Sequence, residues 1–551
     1  MIGARVINGG AVSVRDMPVL SMEAFRAVVI GAVRDGARLS ALFGYPLAPD
    51  GVAKAGRGGE ARGERPAARV TGAEAGAEVG TKGADGAGGN VPVRLVAVLA
   101  WPYAGGCEVL ATDPGEAYPA LTPECPPAHW FEREIAEQWA IRPEGHPWLK
   151  PIRYHRAWRP GDAWGRPPDA EILPCVTDFL RVEGDEVHEV AVGPVHAGVI
   201  EPGHFRFQCH GEQVFHLEIA LGYQHRGVER ALVGGPDART IHLIETLAGD
   251  TTIGHALAYA QLVEGMTGTK VPARALAIRA LALELERLAN HVGDLGALAN
   301  DVGFLPTASY CGRLRGDFLN LSALVCGSRF GRGLVRPGGV RFDLEPARQD
   351  SLKSRFEPIA RDVENAVTLL WQSSSVLARF EETGRVARET ALALGLVGPA
   401  ARASGVERDV RMDFPTGYYR FLQVPVAQWT SGDVFARAFV RWLEIQRSEA
   451  FIRQVLAGLP EGPCQAERPP GTSSEPVLPP HRLGVSLVEG WRGEICHVAL
   501  TDVAGKFQWY KVVDPSFHNW MGLAMALRDQ PISDFPLCNK SFNLSYCGHD
   551  L

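Results

Sequence analysis

No two of the ten cysteines stand three residues apart, so the chain has none of the C-x-x-C pairs that mark zinc ribbons or thiol redox centres. Nor does any window approach the roughly 18 uncharged apolar residues that a membrane helix needs. The opening MIGARVINGGAVSVRD has no apolar signal core. These absences predict reduced thiols in a chain that neither spans a membrane nor is exported by a visible signal. An excess of one charge is also missing: 56 basic against 63 acidic residues leave a net charge of -7, too little to predict nucleic-acid binding. No strand is followed by G-x-G-x-x-G, so a nicotinamide cofactor, if used, would be bound by another subunit. What is present is an ordinary globular composition, 46% hydrophobic and 22% charged, in 551 residues. At roughly 100–200 residues per domain, that is about three or four domain-sized units.

Residues 51–90 are more than half Gly and Ala with almost no large apolar side chain, which predicts a disordered insertion. It interrupts a domain, because VPVRLVAVLAWPY at 91–103 reads as a buried strand that needs partners from residues 20–48. From about 185 short alternating runs, HEVAVGP, HFRFQC and QVFHLEI, predict an antiparallel meander. Long helices follow. Leu281, Leu285, Leu288, Val292 and Leu295 share one face of a helix that Pro272 can open, and Glu284, Arg287, His291 and Asp294 form a polar stripe along it. Val363, Ala366, Leu370, Leu377 and Phe380 predict a second helix, and a third runs from Ser431 as N-cap to Leu456, with Trp442 and Phe439 in the core. The pattern is an antiparallel bundle. After a Pro-rich loop at 459–480 the strands GVSLVEG, ICHVALTD and FQWYKVVD return, the last two joined by a hairpin turn at Val503–Lys506, with a helix around 519–528.

Several motifs carry a resemblance. AYPALTPECPPAHWFEREIAEQWAIRPEGHPWLKP (117–151) resembles the 30-kDa-type accessory domain of respiratory complex I. GPVHAGVIEPGHFRF (193–207), LGYQHRGVE (221–229), LERLANHVGDLGALANDVGF (285–304), RPGGV (336–340), RASGVERDVR (402–411) and EGWRGE (489–494) resemble the large subunit shared by complex I, as its 49-kDa-type subunit, and the nickel-iron hydrogenases. Fusion of both parts resembles the formate hydrogenlyase type. The resemblance implies an α+β chain. An α/β accessory domain at 1–160 and a linker at 161–180 lead into a large domain at 181–551, with strands at 185–220, a helical bundle at 240–458, and strands and tail at 481–551.

The family's hydrogenases hold nickel and iron with two C-x-x-C pairs, because the centre needs soft thiolates. Aligning His255-Ala256 puts Ala248 and Thr251 at the first pair, and DPSFHN puts Ser516 and Asn519 at the second. All four thiolates are then missing, as in energy-converting hydrogenase-related members, and no metal is expected. Quinone-reducing relatives carry a second His where this chain has Ile200 and a Tyr where it has Gly249, while His196 and Asp301 stand at matching positions. The resemblance therefore implies candidate site residues His196, Asp301, Arg492 and Glu494, a quinone as an open candidate ligand, and an iron-sulfur cluster in a small partner subunit. It also implies antiporter-like membrane partners and a peripheral place on the cytoplasmic face of the membrane.

Structural readings compete with these. His196 can serve to hydrogen-bond backbone, and Arg492 and Glu494 can pair with each other or with the bundle. The polar stripe can be a proton path or a solvated, subunit-facing surface. His204, His210 and His216 can ligate a metal or be exposed strand histidines.

Overall fold

The computed structural model describes residues 2–47, 91–159, 161–167, 170–174, 176–197, 200–467 and 476–551. The Gly/Ala-rich insertion and residues 468–475 of the Pro-rich loop lie outside the described residues. The molecule is α+β. An N-terminal sheet orders Ala4–Ile7, Gly106–Thr112, Val93–Trp101 and Arg38–Pro46 as antiparallel neighbours, with Val19–Leu20 added in parallel. Val93–Trp101 pairs with Arg38–Pro46 from the other side of the insertion, as its buried, continuous apolar run requires. The helix Met22–Arg34 is capped by the Ser21 hydroxyl, which accepts the Ala24 N–H at 3.2 Å, and buries Phe25, Val29 and Ile30.

The Phe-Glu-Arg-Glu motif opens the helix His129–Trp139, every residue of which is buried. Glu132 accepts the N–H groups of Leu121 and Thr122, and Arg133 donates to the carbonyls of Lys150 and Pro151. Glu134 reaches Lys511 of the C-terminal sheet at 2.7 Å, and Glu229 stands 3.2 Å from the same ammonium. Burial pulls Lys511 down to about 7, with the Glu229 carboxylate opposing that pull.

The meander sheet forms as the alternation predicts, ordered Gln213–Ala220, His204–His210, Val187–Val192. The long helices Thr252–Thr267, Ala273–Asp301, Leu305–Cys326, Pro346–Gln372 and Val434–Ala457 pack on one another, and the first of them lies against the strands Arg482–Gly490 and Gly493–Thr501. The Leu281–Leu295 stripe is fully buried. Two boundaries differ from expectation. The apolar stripe 363–380 is split, because Ser373 takes an extended backbone, and a separate helix Ser374–Phe380 follows. The last helix is capped by Asp433, whose Oδ1 accepts the Ala436 N–H, while the Ser431 hydroxyl donates to that same carboxylate.

The C-terminal sheet orders Phe507–Val513, Gly493–Thr501, Arg482–Gly490 and, from the other end of the chain, Gly10–Ser13. Asn8 reinforces that edge, donating to the Leu487 carbonyl and accepting the Leu487 N–H. The helix Pro515–Ala526 follows, and among the described residues no helix is long and apolar enough to cross a membrane. Gly493 (φ +133°) and Gly398 (φ +65°) let two backbones touch: a Cβ on Gly398 would lie 2.1 Å from the Arg492 carbonyl oxygen.

Gly398→Ala is therefore expected to cost about 2–4 kcal/mol through left-handed strain and forced separation of the two backbones, read as a lowered denaturation midpoint. Gly31→Ala, in a helix with open space at the Cβ, should be neutral or stabilising by up to about 1 kcal/mol. Equal midpoints for the two variants would refute the contact.

Candidate functional site

The turn Gly490–Gly493 pushes two side chains into the interior where the helices Thr252–Thr267 and Pro515–Ala526 begin. Arg492 grips Asp250 with both Nη atoms, at 2.6 and 2.8 Å, and its Nε donates to the Asn543 carbonyl at 2.5 Å. The guanidinium lies 3.8 Å from the Trp491 ring centroid, and the Trp491 indole N–H donates to the Asp250 carbonyl and the Thr251 hydroxyl. Burial opposes both charges. The fork overrides it, raising Arg492 above its ordinary pKa and holding Asp250 below the usual carboxylate range.

The four positions expected to stand in place of metal cysteines lie on these same two segments. Ala248 is buried with no donor atom. The Thr251 hydroxyl is bonded to Asp250, Trp491 and Arg492. The Ser516 hydroxyl accepts the Ser545 N–H, and the Asn519 amide exchanges two hydrogen bonds with the Val397 backbone. The two helix starts are joined by His255, whose Nε2 lies 3.2 Å from Asp514 Oδ2. From there a buried chain continues: His255 Nδ1 to His497 Nε2 at 3.1 Å, then His497 Nδ1 to the Tyr510 hydroxyl at 2.8 Å. Burial holds His497 well below its ordinary pKa, so its ring is neutral and can both donate and accept. Glu286 accepts the Ile253 and Gly254 N–H groups, yet burial pushes it up to about 8. Of Asp514, His255, His497, Tyr510 and Glu286 the sequence singled out His255 alone, and that as an alignment marker. The partners arrive from strands more than two hundred residues away, which no local pattern signals.

Glu494 does not pair with Arg492. It turns to the N-terminal sheet, accepting from the Ser40 hydroxyl at 2.6 Å and facing Arg38 at 2.9 Å. His196 is half-buried, with Nδ1 3.3 Å from the Pro194 carbonyl and Nε2 3.3 Å from the Tyr546 hydroxyl. Asp301 pairs with Lys540 at the C-terminal end of the long helix. The strand histidines have separate partners: His204 with Arg206, His210 with Glu186, and His216 edge-on to Trp148.

The polar stripe is neither solvated nor on a surface. Glu284, Arg287, His291 and Asp294 are buried, the first three completely. Glu444 is the hub: His291 lies at 2.7 Å, Arg287 at 3.5 Å, and Arg402 is bonded to it directly. Arg402 continues to Glu489 at 2.8 Å and Asp409 at 3.6 Å, while Arg411 joins Asp409 at 2.7 Å and Glu284 at 3.2 Å. The Tyr419 and Ser448 hydroxyls complete the Glu284 shell. Arg441 holds Asp294 at 2.7 Å beside this network. Burial opposes ionisation of Glu444, but the surrounding cations hold its pKa far below the usual range. Glu489, buried beside Asp409, is pushed up to about 7.

Comparison with known proteins follows this architecture. The respiratory-chain NADH dehydrogenase 30-kDa subunit family matches residues 106–167, and the respiratory-chain NADH dehydrogenase 49-kDa subunit family matches residues 301–550. The chain belongs to the family of large subunits common to complex I and the related hydrogenases, with both parts in one polypeptide. It is an oxidoreductase-complex subunit. It is 31% identical over 459 residues to formate hydrogenlyase subunit 5 of Escherichia coli, covering 80% of this chain and 77% of that protein. To hydrogenase-4 component G of the same organism it is 31% identical over 441 residues, 78% of this chain and 75% of the other. To NADH-quinone oxidoreductase subunit 4 of Thermus thermophilus it is 32% identical over 369 residues, 63% of this chain and 90% of the other.

The network generates a paired expectation. Glu444→Gln strips Arg402 and His291 of their shared partner and should cost about 3–5 kcal/mol. Glu489 behaves differently. Its folded pKa, about 7 against an ordinary 4.5, means the fold binds a proton that the unfolded chain releases. Its contribution to stability is full below about 4.5 and is lost as pH rises through about 7. Glu489→Gln fixes the protonated form and should flatten that slope in unfolding free energy against pH; an unchanged slope would refute the assignment.

Proposed function

We propose that the chain is the large subunit of a membrane-associated, ion-coupled oxidoreductase complex that works without a nickel-iron centre. Electrons from a small iron-sulfur partner, or a conformational change there, are matched by charge movement in the buried polar cluster of this chain. Antiporter-like membrane subunits hold the complex at the cytoplasmic face, and the accessory part (1–160), the linker (161–180) and the large part (181–551) act as the units of that assembly. The observation that carries the reading is the donor set at the four matched positions. A nickel-iron centre needs soft sulfur donors. Ala248 offers no donor, and the neutral oxygen and nitrogen donors of Thr251, Ser516 and Asn519 are already engaged in hydrogen bonds. These residues do not fit that group.

What stands there instead suits a polar or anionic acceptor. Arg492 would orient such a ligand by giving up part of its fork to Asp250, and Asp514, His255, His497 and Tyr510 form a hydrogen-bonded chain along which protons can follow electrons. The neighbouring network sets three arginines, Arg287, Arg402 and Arg411, against four carboxylates, Glu284, Asp409, Glu444 and Glu489. It is neutral when one proton rests on Glu489 or His291, and in a low-dielectric interior the position of that proton is strongly felt by every member. A cleft of about 400 Å³ reaches Gln261 and Tyr419, which also line a small void beside Glu489 and Arg411. Water in that cleft is one or two side chains from the network.

A second reading, quinone reduction, is favoured by one contact. His196 has no histidine four residues on and no tyrosine at 249, but Tyr546 of the C-terminal helix supplies a phenol 3.3 Å from its ring. An imidazole and a phenol are a competent proton-donating pair for a reduced quinone.

Elemental mass spectrometry of the native complex, isolated through a tag on this chain, is expected to give iron without nickel. Nickel near one per chain would overturn the reading. Arg492→Ala should lower turnover by about 10² or more, and unchanged electron transfer and pumping in both Arg492→Ala and His196→Ala would leave a non-catalytic scaffold. Tyr546→Phe should slow reduction of added quinone if the second reading holds, and an equal rate would end it.

A further inference from the structure

A cavity of about 200 Å³ lies where the turn after the helix Met22–Arg34 meets residues 392–397 and 408, outside both the Arg492 fork and the central network. Its charged and polar lining is Arg34, Arg38, Arg408, Glu494 and His518. Arg34 stands exposed at the rim, whereas Arg38 and His518 are only 6% and 5% accessible. Arg38 has carboxylates on two sides, Asp413 at 3.1 Å and Glu494 at 2.9 Å. Its Nε nevertheless has no hydrogen-bond partner, and neither has His518 Nε2. Arg408 makes one long hydrogen bond, to the Gly36 carbonyl at 3.3 Å, and no ion pair among the described residues. Three guanidinium groups and one carboxylate, Glu494, thus line the cavity, and Arg38 Nε, His518 Nε2 and Glu494 Oε2 are left without a hydrogen-bond partner. Burial first, and then the neighbouring Arg38 charge, pull Arg408 down to about 10, with Glu494 and Asp413 opposing them in part. Buried donors of this kind are normally satisfied, and an unsatisfied set around a cavity points to what fills it.

We propose that this cavity binds one small oxyanion, of phosphate or carboxylate size, held by Arg38, Arg408 and the His518 ring, with Arg34 at its mouth. The inference is independent of whether the chain carries a metal. An anion there joins the N-terminal sheet, through Arg38, to the 402–411 segment, whose Arg402, Asp409 and Arg411 belong to the central network. It is therefore placed to clamp the junction between the two.

Equilibrium dialysis of the full chain in its complex against radiolabelled inorganic phosphate, at ionic strength fixed with chloride, tests this. The expected result is saturable binding of one phosphate per chain, displaced by sulfate, or by acetate if the planar form is preferred. Arg408→Gln should weaken binding at least tenfold, and Arg34→Gln, at an exposed position that does not threaten folding, should weaken it severalfold. Each variant's thermal midpoint without phosphate serves as the folding control. Absence of saturable binding of phosphate, sulfate or acetate at millimolar concentration would overturn the proposal, as would phosphate binding unchanged in both arginine variants.

Discussion

Burying Glu284, Arg287, Arg402, Asp409, Arg411, Glu444 and Glu489 in one contiguous cluster takes seven ionisable groups out of water, at several kcal/mol for each charged group, and mutual pairing is what offsets that cost. The rest of the structure follows from it. The long helix Ala273–Asp301 supplies two members, the helix Val434–Ala457 the hub, the 402–411 segment three, and the strand Arg482–Gly490 the last. These elements span more than two hundred residues of chain, and the network fixes which helix faces which strand. Apolar packing alone would tolerate sliding of the long helices past one another; the Glu444 hub, with three partners at fixed distances on two other elements, does not.

The turn carrying Trp491, Arg492 and Glu494 is the second consequence. Because Glu489 is anchored to Arg402 at one end of its strand, the two residues beyond Gly490 are delivered to fixed places, Arg492 to Asp250 and Glu494 to Arg38. Adjacent charges thereby serve opposite sides of the molecule. The glycine between them, at a φ that other residues rarely adopt, makes that divergence sterically available.

Much of this fold was legible in the residues. The continuous apolar run 91–103 demanded a partner from before the insertion and has one, and the meander and the buried leucine stripe formed where alternation and helical spacing placed them. Other features were not legible. Glu284, Arg287, His291 and Asp294 recur at helical spacing just as a solvated face would, and nothing local shows that their partners are Glu444, Arg402, Arg411 and Arg441. Ser431 and Asp433 are both good caps, and the choice between them rests on the hydroxyl supporting the carboxylate. At the site, Arg492 and Glu494 stood out through a family motif, while Asp250, His497 and Tyr510 carried no signal beyond being polar.

The strand Gly10–Ser13 pairs with Arg482–Gly490, so the C-terminal sheet acquires its fourth strand from the opposite end of the polypeptide. A ribosome adding about 5–20 residues per second needs roughly 20–90 s to travel between those partners. Throughout that interval the emerging N-terminal segment has an unpaired edge, and edges of this kind recruit stray strands. The architecture thus makes the last third of translation the step that closes the first.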